Sequence, residues 1–296
     1  MQMKRGKRTE NKGKLRGKLF APLLAALLFF TGAGVFFYPT VSNYFAEREQ
    51  ISVIREYQAQ METGSTEDLE AEWEKAEAYN ENLAGDPVKD PFVPGSGYAL
   101  PGNYEEVLNV GGVMGYVEIP KIDVLLPIYH GTSEEVLEKG VGHIESTALP
   151  IGGSFRHSVL TGHRGLPSAK LFTRLDEMET GDIFLIHVLD QTLAYEVDQI
   201  KTVLPTELGD IQAIPEKDLV TLLTCTPYGV NTHRLLVRGS RTAYVPQEEE
   251  AVRTMEKQET GLTLKLSGVG MILGLCLLVL LAIFLMVRRK RRRHEK

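Results

Sequence analysis

Cysteine is nearly absent from this sequence, with only Cys225 and Cys276 among 296 residues. Cys276 falls inside a long apolar stretch near the C-terminus, where a small, weakly polar side chain is unremarkable. Cys225 is therefore alone in the central region. That excludes an intramolecular disulfide there, and a zinc site built from several cysteines. A lone thiol of this kind is either an inert core residue or a reactive one. Internal repeats are absent too, which excludes solenoid and propeller arrays.

Charge is missing from residues 19–38 and again from residues 266–287. About 20 apolar residues are needed to cross a membrane as a helix, and both stretches are long enough. The formal net charge of −6 hides a segregation around them. Residues 1–18 and 288–296 together hold fifteen of the 33 Lys/Arg but two of the 39 acids, which leaves the middle at about −19. Basic residues outside each apolar stretch place both termini in the cytoplasm and residues 39–265 beyond the membrane. A cleaved signal peptide is the alternative for the first stretch, although its apolar run exceeds the usual h-region. Beside spanning helices the basic tails read as topology signals, and nucleic acid is not an expected partner. The expected localisation is the cell membrane, two-pass, with an extracellular central domain.

Between the membrane stretches the texture changes twice. Residues 39–84 read as helices, over 41–62 and 66–84, with apolar positions at Val53, Ile54, Tyr57 and Met61. Gly64 separates them, and Ser65 or Thr66 can cap the second. A Pro/Gly-rich loop follows over 85–104, long enough to be functional or a linker. From 105 to 245 the sequence turns to short β-prone runs, at 116–119, 124–129, 158–161, 183–189, 193–203, 219–224 and 234–238. One helix is expected over 168–178. The fold expected is mainly β, a closed barrel of about eight strands. Residues 246–265 read as a polar stalk.

Cys225 closes one expected strand and Arg234 opens the next, nine residues on. If those strands pair as a hairpin, both side chains lie at the same end of it. His163 follows another strand, between Gly162 and Arg164-Gly165. These residue types suit acyl transfer. A thiolate is the nucleophile, and nearby positive charge favours it. An imidazole moves protons to and from amines. A guanidinium stabilises an oxyanion or holds a substrate backbone. His130, His143, His157 and His233 compete with His163 for the acid/base role. Strand alternation turns His233 away from Arg234, while the glycines near His163 allow close approach of a substrate.

Thr221-Leu222-Leu223-Thr224-Cys225-Thr226-Pro227-Tyr228-Gly229-Val230-Asn231-Thr232-His233-Arg234-Leu235 resembles the sortase signature. Thr161-Gly162-His163-Arg164-Gly165-Leu166 resembles the histidine motif of the same family. The resemblance covers about residues 105–240. It implies a surface transpeptidase of Gram-positive bacteria that cleaves an LPXTG-like sorting signal between Thr and Gly. Cys225 would be the nucleophile, His163 the acid/base, and Arg234 the oxyanion or positioning residue, with no metal or organic cofactor. Asp90-Pro91-Phe92 resembles the lid motif of class C, the pilin-polymerising sortases, as does a second membrane helix. By that resemblance Asp90 pairs with Arg234, and Phe92 lies against Cys225 or His163. The implied partners are LPXTG-type pilin or surface-protein precursors and the lysine amine of a second pilin. Other readings are a housekeeping sortase anchoring proteins to a cell-wall precursor, a different exported cysteine hydrolase, and a catalytically idle peptide-binding barrel.

Overall fold

The computed structural model of the chain describes residues 10–83, 102–207 and 209–243, with Gly270 and Gly274. The Asp90-Pro91-Phe92 segment, the stalk at 246–265 and the second membrane stretch lie outside the described residues, apart from those two glycines. So does the basic C-terminal end at 288–296. The chain divides into two compact units, the larger running from Ser42 to Gly268.

Helix α1 spans Glu10–Thr63 without a break. Two helices meeting near Pro39 were expected, over 19–38 and 41–62, and this is a correction. A proline removes one helical hydrogen bond, and the helix continues through it here. The apolar window has a mean hydropathy of 1.7, and none of it is buried. Leu27, Leu28, Val35 and Phe36 are exposed. By length and composition this part of α1 fits a membrane anchor or a signal segment.

Within the larger unit the later part of α1 becomes amphipathic. Ile51, Ile54 and Tyr57 recur at a spacing of three and bury together against Val113, Tyr116 and Leu125. The Tyr57 hydroxyl accepts a hydrogen bond from Leu189 N at 2.6 Å and faces Met114 O at 3.3 Å. Helix α2 follows over Thr66–Asn82, and Ser65 is its cap, accepting from Asp68 N at 3.1 Å. Its inner face buries Ala76 and Tyr79. Glu72 accepts from Leu108 N at 2.7 Å, and the Asn80 amide bonds both polar groups of the Leu149 backbone. The second helix is thus held to the barrel by backbone groups that would otherwise be unsatisfied.

The strands are β1 Gly115–Ile119, β2 Val124–His130, β3 Val141–His143, β4 Arg156–Thr161, β5 Ile183–Val188, β6 Gln191–Val203, β7 Asp218–Thr226 and β8 His233–Thr242. They form a closed barrel in the order β1-β2-β3-β4-β7-β8-β6-β5. The pairs β2–β3 and β4–β7 are parallel and the rest antiparallel. Closure leaves no unpaired edge. Alternation then sorts the side chains. Leu160, Val220, Leu222, Leu235 and Val237 join the main core, whereas Val159, Leu223 and Leu236 form a separate cluster with Ile144 and Ile211.

The expected seven strands are all present, and β3 is an eighth with only three residues, too short to show alternation. Helix α3, Glu134–Lys139, is likewise short and is capped by Ser133. The helix expected over 168–178 is not formed, and only a 3₁₀ turn at Leu175–Glu177 remains. Leu171 takes a positive φ of 40°, and Phe172 N bonds to His163 O at 3.1 Å instead of to its own turn. The helix-like spacing of Ala169, Phe172 and Leu175 reflects burial of an irregular loop in the core.

Three histidines that competed for the acid/base role are fixed inside this framework. His143 Nε2 donates to Ala148 O at 2.9 Å, so its Nδ1 accepts from the Tyr104 hydroxyl at 2.9 Å. His157 Nδ1 donates to Gln212 O at 2.9 Å, so its Nε2 accepts from the Thr221 hydroxyl at 2.7 Å. His130 Nε2 faces Val107 O at 2.8 Å. Burial pushes His143 and His157 each down to about 4, against backbone hydrogen bonds that favour the cation. Above the unfolded value of about 6.5 both states are neutral. As pH falls from there towards 4, the unfolded chain takes up protons that the folded one refuses, so stability declines. We predict a melting temperature that drops across this window, with each histidine accounting for on the order of 3 kcal/mol. Thermal denaturation of wild type and His157→Gln at several pH values checks it, since the variant should show the shallower decline.

Candidate active site

Strands β7 and β8 form a hairpin in which Cys225 stands directly opposite Arg234, and Thr226 opposite His233. Opposed residues in an antiparallel pair share a face. Cys225 and Arg234 therefore lie on the same side as Leu223 and Leu236, outside the main core, and His233 lies on the other. The hairpin loop closes through Pro227 O, which accepts from Val230 N and Asn231 N at 3.0 Å each. Arg234 Nη1 donates to Asn231 O and His233 O, both at 3.1 Å. Loop carbonyls thus orient the guanidinium before any substrate arrives. Both residues are buried, with Cys225 8% and Arg234 5% exposed.

His163 reaches this place through a second register. Strand β4 runs parallel to β7, ending on the pair Thr161 and Leu223. Beyond the ladder, Gly162 N donates to Leu223 O at 3.2 Å, and the Thr224 hydroxyl donates to Gly162 O at 2.7 Å. Continued by two residues, the register sets His163 level with Cys225 and on the same face. The three residues singled out in the sequence are brought to one end of three adjacent strands. His163 is half-buried. Burial pushes its imidazole below the ordinary value, while Glu138 and Glu134 of α3 partly oppose this.

Arg164, the next residue, was quoted as part of a motif but given no role. Its Nη1 donates to the Thr226 hydroxyl at 3.1 Å, and its Nη2 to Asp176 at 2.5 Å. The guanidinium lies 6.0 Å from the Tyr228 ring centroid. Gly165 adopts φ +81°, a conformation that favours glycine, and a Cβ there would come to 3.0 Å from that ring. The only available signal was adjacency to His163, since Thr226 and Asp176 lie 62 and 12 residues away.

The face that carries the three residues continues as an apolar strip of Ile144, Val159, Leu223 and Leu236 under Ile211. At its far end is a cavity of about 620 Å³ lined in part by Ser146, Phe155, His157 and Gln212. Cys225, His163 and Arg234 do not line it, because it opens at the start of β4 and the three residues stand at the end. Among the described residues no group of His, Cys, Asp and Glu could hold a metal ion.

The acids of α3 favour the imidazolium, so their removal should lower the His163 pKa further. We predict that His163 titrates below about 6.5 by NMR, and that Glu134→Gln with Glu138→Gln moves the midpoint further down. An unchanged or raised midpoint would contradict the electrostatic assignment.

Comparison with known proteins supports the same region. Residues 117–242 match the family described as the sortase domain. Sortase D of Bacillus subtilis (strain 168) is 34% identical over 134 residues, which are 44% of this chain and 65% of that protein. The chain therefore spans just under two thirds of this relative. A Streptococcus pneumoniae sortase C structure superposes with a TM-score of 0.62 at 47% identity, covering 66% of this chain and 99% of that one. Streptococcus agalactiae sortase C1 gives 0.62 at 44% identity, with 67% and 98% covered. Both solved structures are class C sortases, consistent with that class for this chain. With the fold matched over nearly the whole of these structures, the chain belongs to the sortase family of cysteine transpeptidases.

Proposed function

We propose that this chain is a membrane-anchored transpeptidase that cleaves an LPXTG-like sorting signal and joins pilin subunits through a lysine isopeptide bond. The observation that carries the reading is the two-register convergence of Cys225, Arg234 and His163. Cys225 gives its thiol proton to neutral His163, and the resulting thiolate attacks the Thr carbonyl carbon of the signal. The tetrahedral oxyanion develops beside Arg234, whose guanidinium is already oriented by Asn231 O and His233 O. His163 gives a proton to the departing Gly nitrogen as the C–N bond breaks, leaving a thioacyl enzyme. A lysine amine then attacks the thioester, His163 takes the amine proton, and the thiolate leaves. No step calls for a metal or organic cofactor.

Burial shapes the proton inventory. With its pKa pushed down, His163 is neutral near pH 7 and favours the form that accepts a proton. Pilin polymerisation is supported by likeness to class C structures, one of which is described in terms of its own pilin substrate specificity. A two-pass topology with both termini cytoplasmic would hold the site near membrane-anchored precursors and raise their effective concentration. Asp90-Pro91-Phe92 would serve as a lid over the thiol, with Asp90 against Arg234.

The test uses the full chain in lipid nanodiscs with a pilin subunit that carries an LPXTG-type tail. Covalent ladders are expected with wild type and none with Cys225→Ala. Arg234→Gln should lower turnover about 10²-fold if it serves the oxyanion. Cleavage without any ladder would reduce the reading to a hydrolase. For the lid, Asp90→Ala and Phe92→Ala should each speed labelling of Cys225 by a thiol reagent several-fold. Equal rates in both variants and wild type would remove the lid role.

A further inference from the structure

We propose that Arg164 is a positioning residue for acyl transfer, clamping the His163 segment to the Cys225 end of β7 and so setting the imidazole-to-sulfur geometry. This rests on the transpeptidase reading of the same site and adds to it a residue that does not touch the reacting atoms.

The contacts of Arg164 join separate pieces of the chain. Thr226 directly follows Cys225, and its hydroxyl accepts from Nη1. Asp176 belongs to the 3₁₀ turn of the buried loop whose Phe172 N holds His163 O. Tyr228, 59% exposed, lies in the β7–β8 loop with its ring under the guanidinium and against Gly165. One side chain thus fixes the peptide next to the imidazole, the peptide next to the thiol, and the loop that orients Arg234.

The ladder alone does not provide this. Regular β4–β7 pairing ends at Thr161 and Leu223. Past that point the two chains are held by the Gly162 bonds and then by Arg164. His163 therefore projects from a segment held beyond the ladder by the Phe172 N–His163 O bond and by side chains. The guanidinium is also an expensive group to place here. Its side chain is 8% exposed, and its Nε is buried with no hydrogen-bond partner among the described residues. An orphaned buried donor is unfavourable, and an ion pair to the half-exposed Asp176 carboxylate adds little stability. Geometry explains the placement better. A planar fork spans two acceptors at fixed angles, which a lysine ammonium does not reproduce. A misplacement of about 1 Å between reacting groups can cost about 10²-fold in rate.

The experiment uses the full chain in nanodiscs and an LPXTG-type peptide with a fluorophore and quencher. Arg164→Ala should lower kcat about 10- to 100-fold, with KM for the peptide within about twofold, as expected when only transition-state geometry is lost. Arg164→Lys should recover only a small part. Thr226→Val should lower kcat as well, and the Arg164→Ala/Thr226→Val double variant should be no worse than Arg164→Ala, because both remove one contact. Cys225 alkylation at neutral pH should slow in Arg164→Ala and Arg164→Lys alike, as the thiol loses the imidazole that takes its proton. The inference is overturned by unchanged kcat in Arg164→Ala, by full rescue with Lys, by strict additivity with Thr226→Val, or by a loss that simply follows the melting temperature. A wild-type chain that does not cleave the peptide overturns the transpeptidase reading itself. A wild type that cleaves, with Arg164→Ala equally active, overturns only the clamp.

Discussion

Strand β7 is hydrogen-bonded along both edges, parallel to β4 and antiparallel to β8, and the candidate site follows from those two registers. A shift of one residue in either would turn a side chain to the opposite face. With β8 slipped, His233 would stand where Arg234 does. With β4 slipped, a glycine or Arg164 would take the level of Cys225. Register is held firmly because both faces of β7 are buried. Val220 and Leu222 face the main core, while Leu223 lies under Ile211. The packing that stabilises the barrel is thus also what sets the chemistry at its end.

Charge is then placed against this apolar frame at a cost that local polar groups offset. Arg234 is met by two carbonyls of its own hairpin loop, and Arg164 by a hydroxyl, a carboxylate and a ring face. Burial pushes the His163 pKa down, with the exposed acids of α3 limiting how far it falls. His143 and His157 are neutral for a different reason. Each has both ring nitrogens committed to core hydrogen bonds, so neither can accept and release a proton in a reaction.

Much of this was legible in the chain itself. The nine-residue spacing from Cys225 to Arg234 across a Pro-Tyr-Gly loop implied a hairpin with both residues at one end, because strand pairing and turn chemistry are local. Alternation removed His233 for the same reason. Ser65 was readable as a cap, since capping needs only three residues. The choice among the remaining histidines rested on glycine neighbours, and the structure separates them by their partners: Gln212 and Thr221 for His157, Tyr104 and Ala148 for His143. Those partners are up to 64 residues distant in sequence. The short β3 and α3 had too few residues for a period. The 168–178 segment showed a helical period and yet formed a buried loop, because Phe172 found its backbone partner in His163.

The sequence by itself determined the apolar first stretch, the helical character up to residue 82 and the barrel class, and it picked out three candidate site residues. Each of these rests on short-range patterns: a long run without charge, a period of 3.6 or 2, or a turn between two strands. Tertiary structure alone decided the closure order, the parallel β4–β7 pairing and hence the arrival of His163 beside Cys225. It also decided that Arg164 is a buried clamp rather than a surface cation. The physical reason is the same throughout. Contacts between segments separated by about 60 residues carry no local signature, and become fixed only when burial on both faces of a strand admits one register.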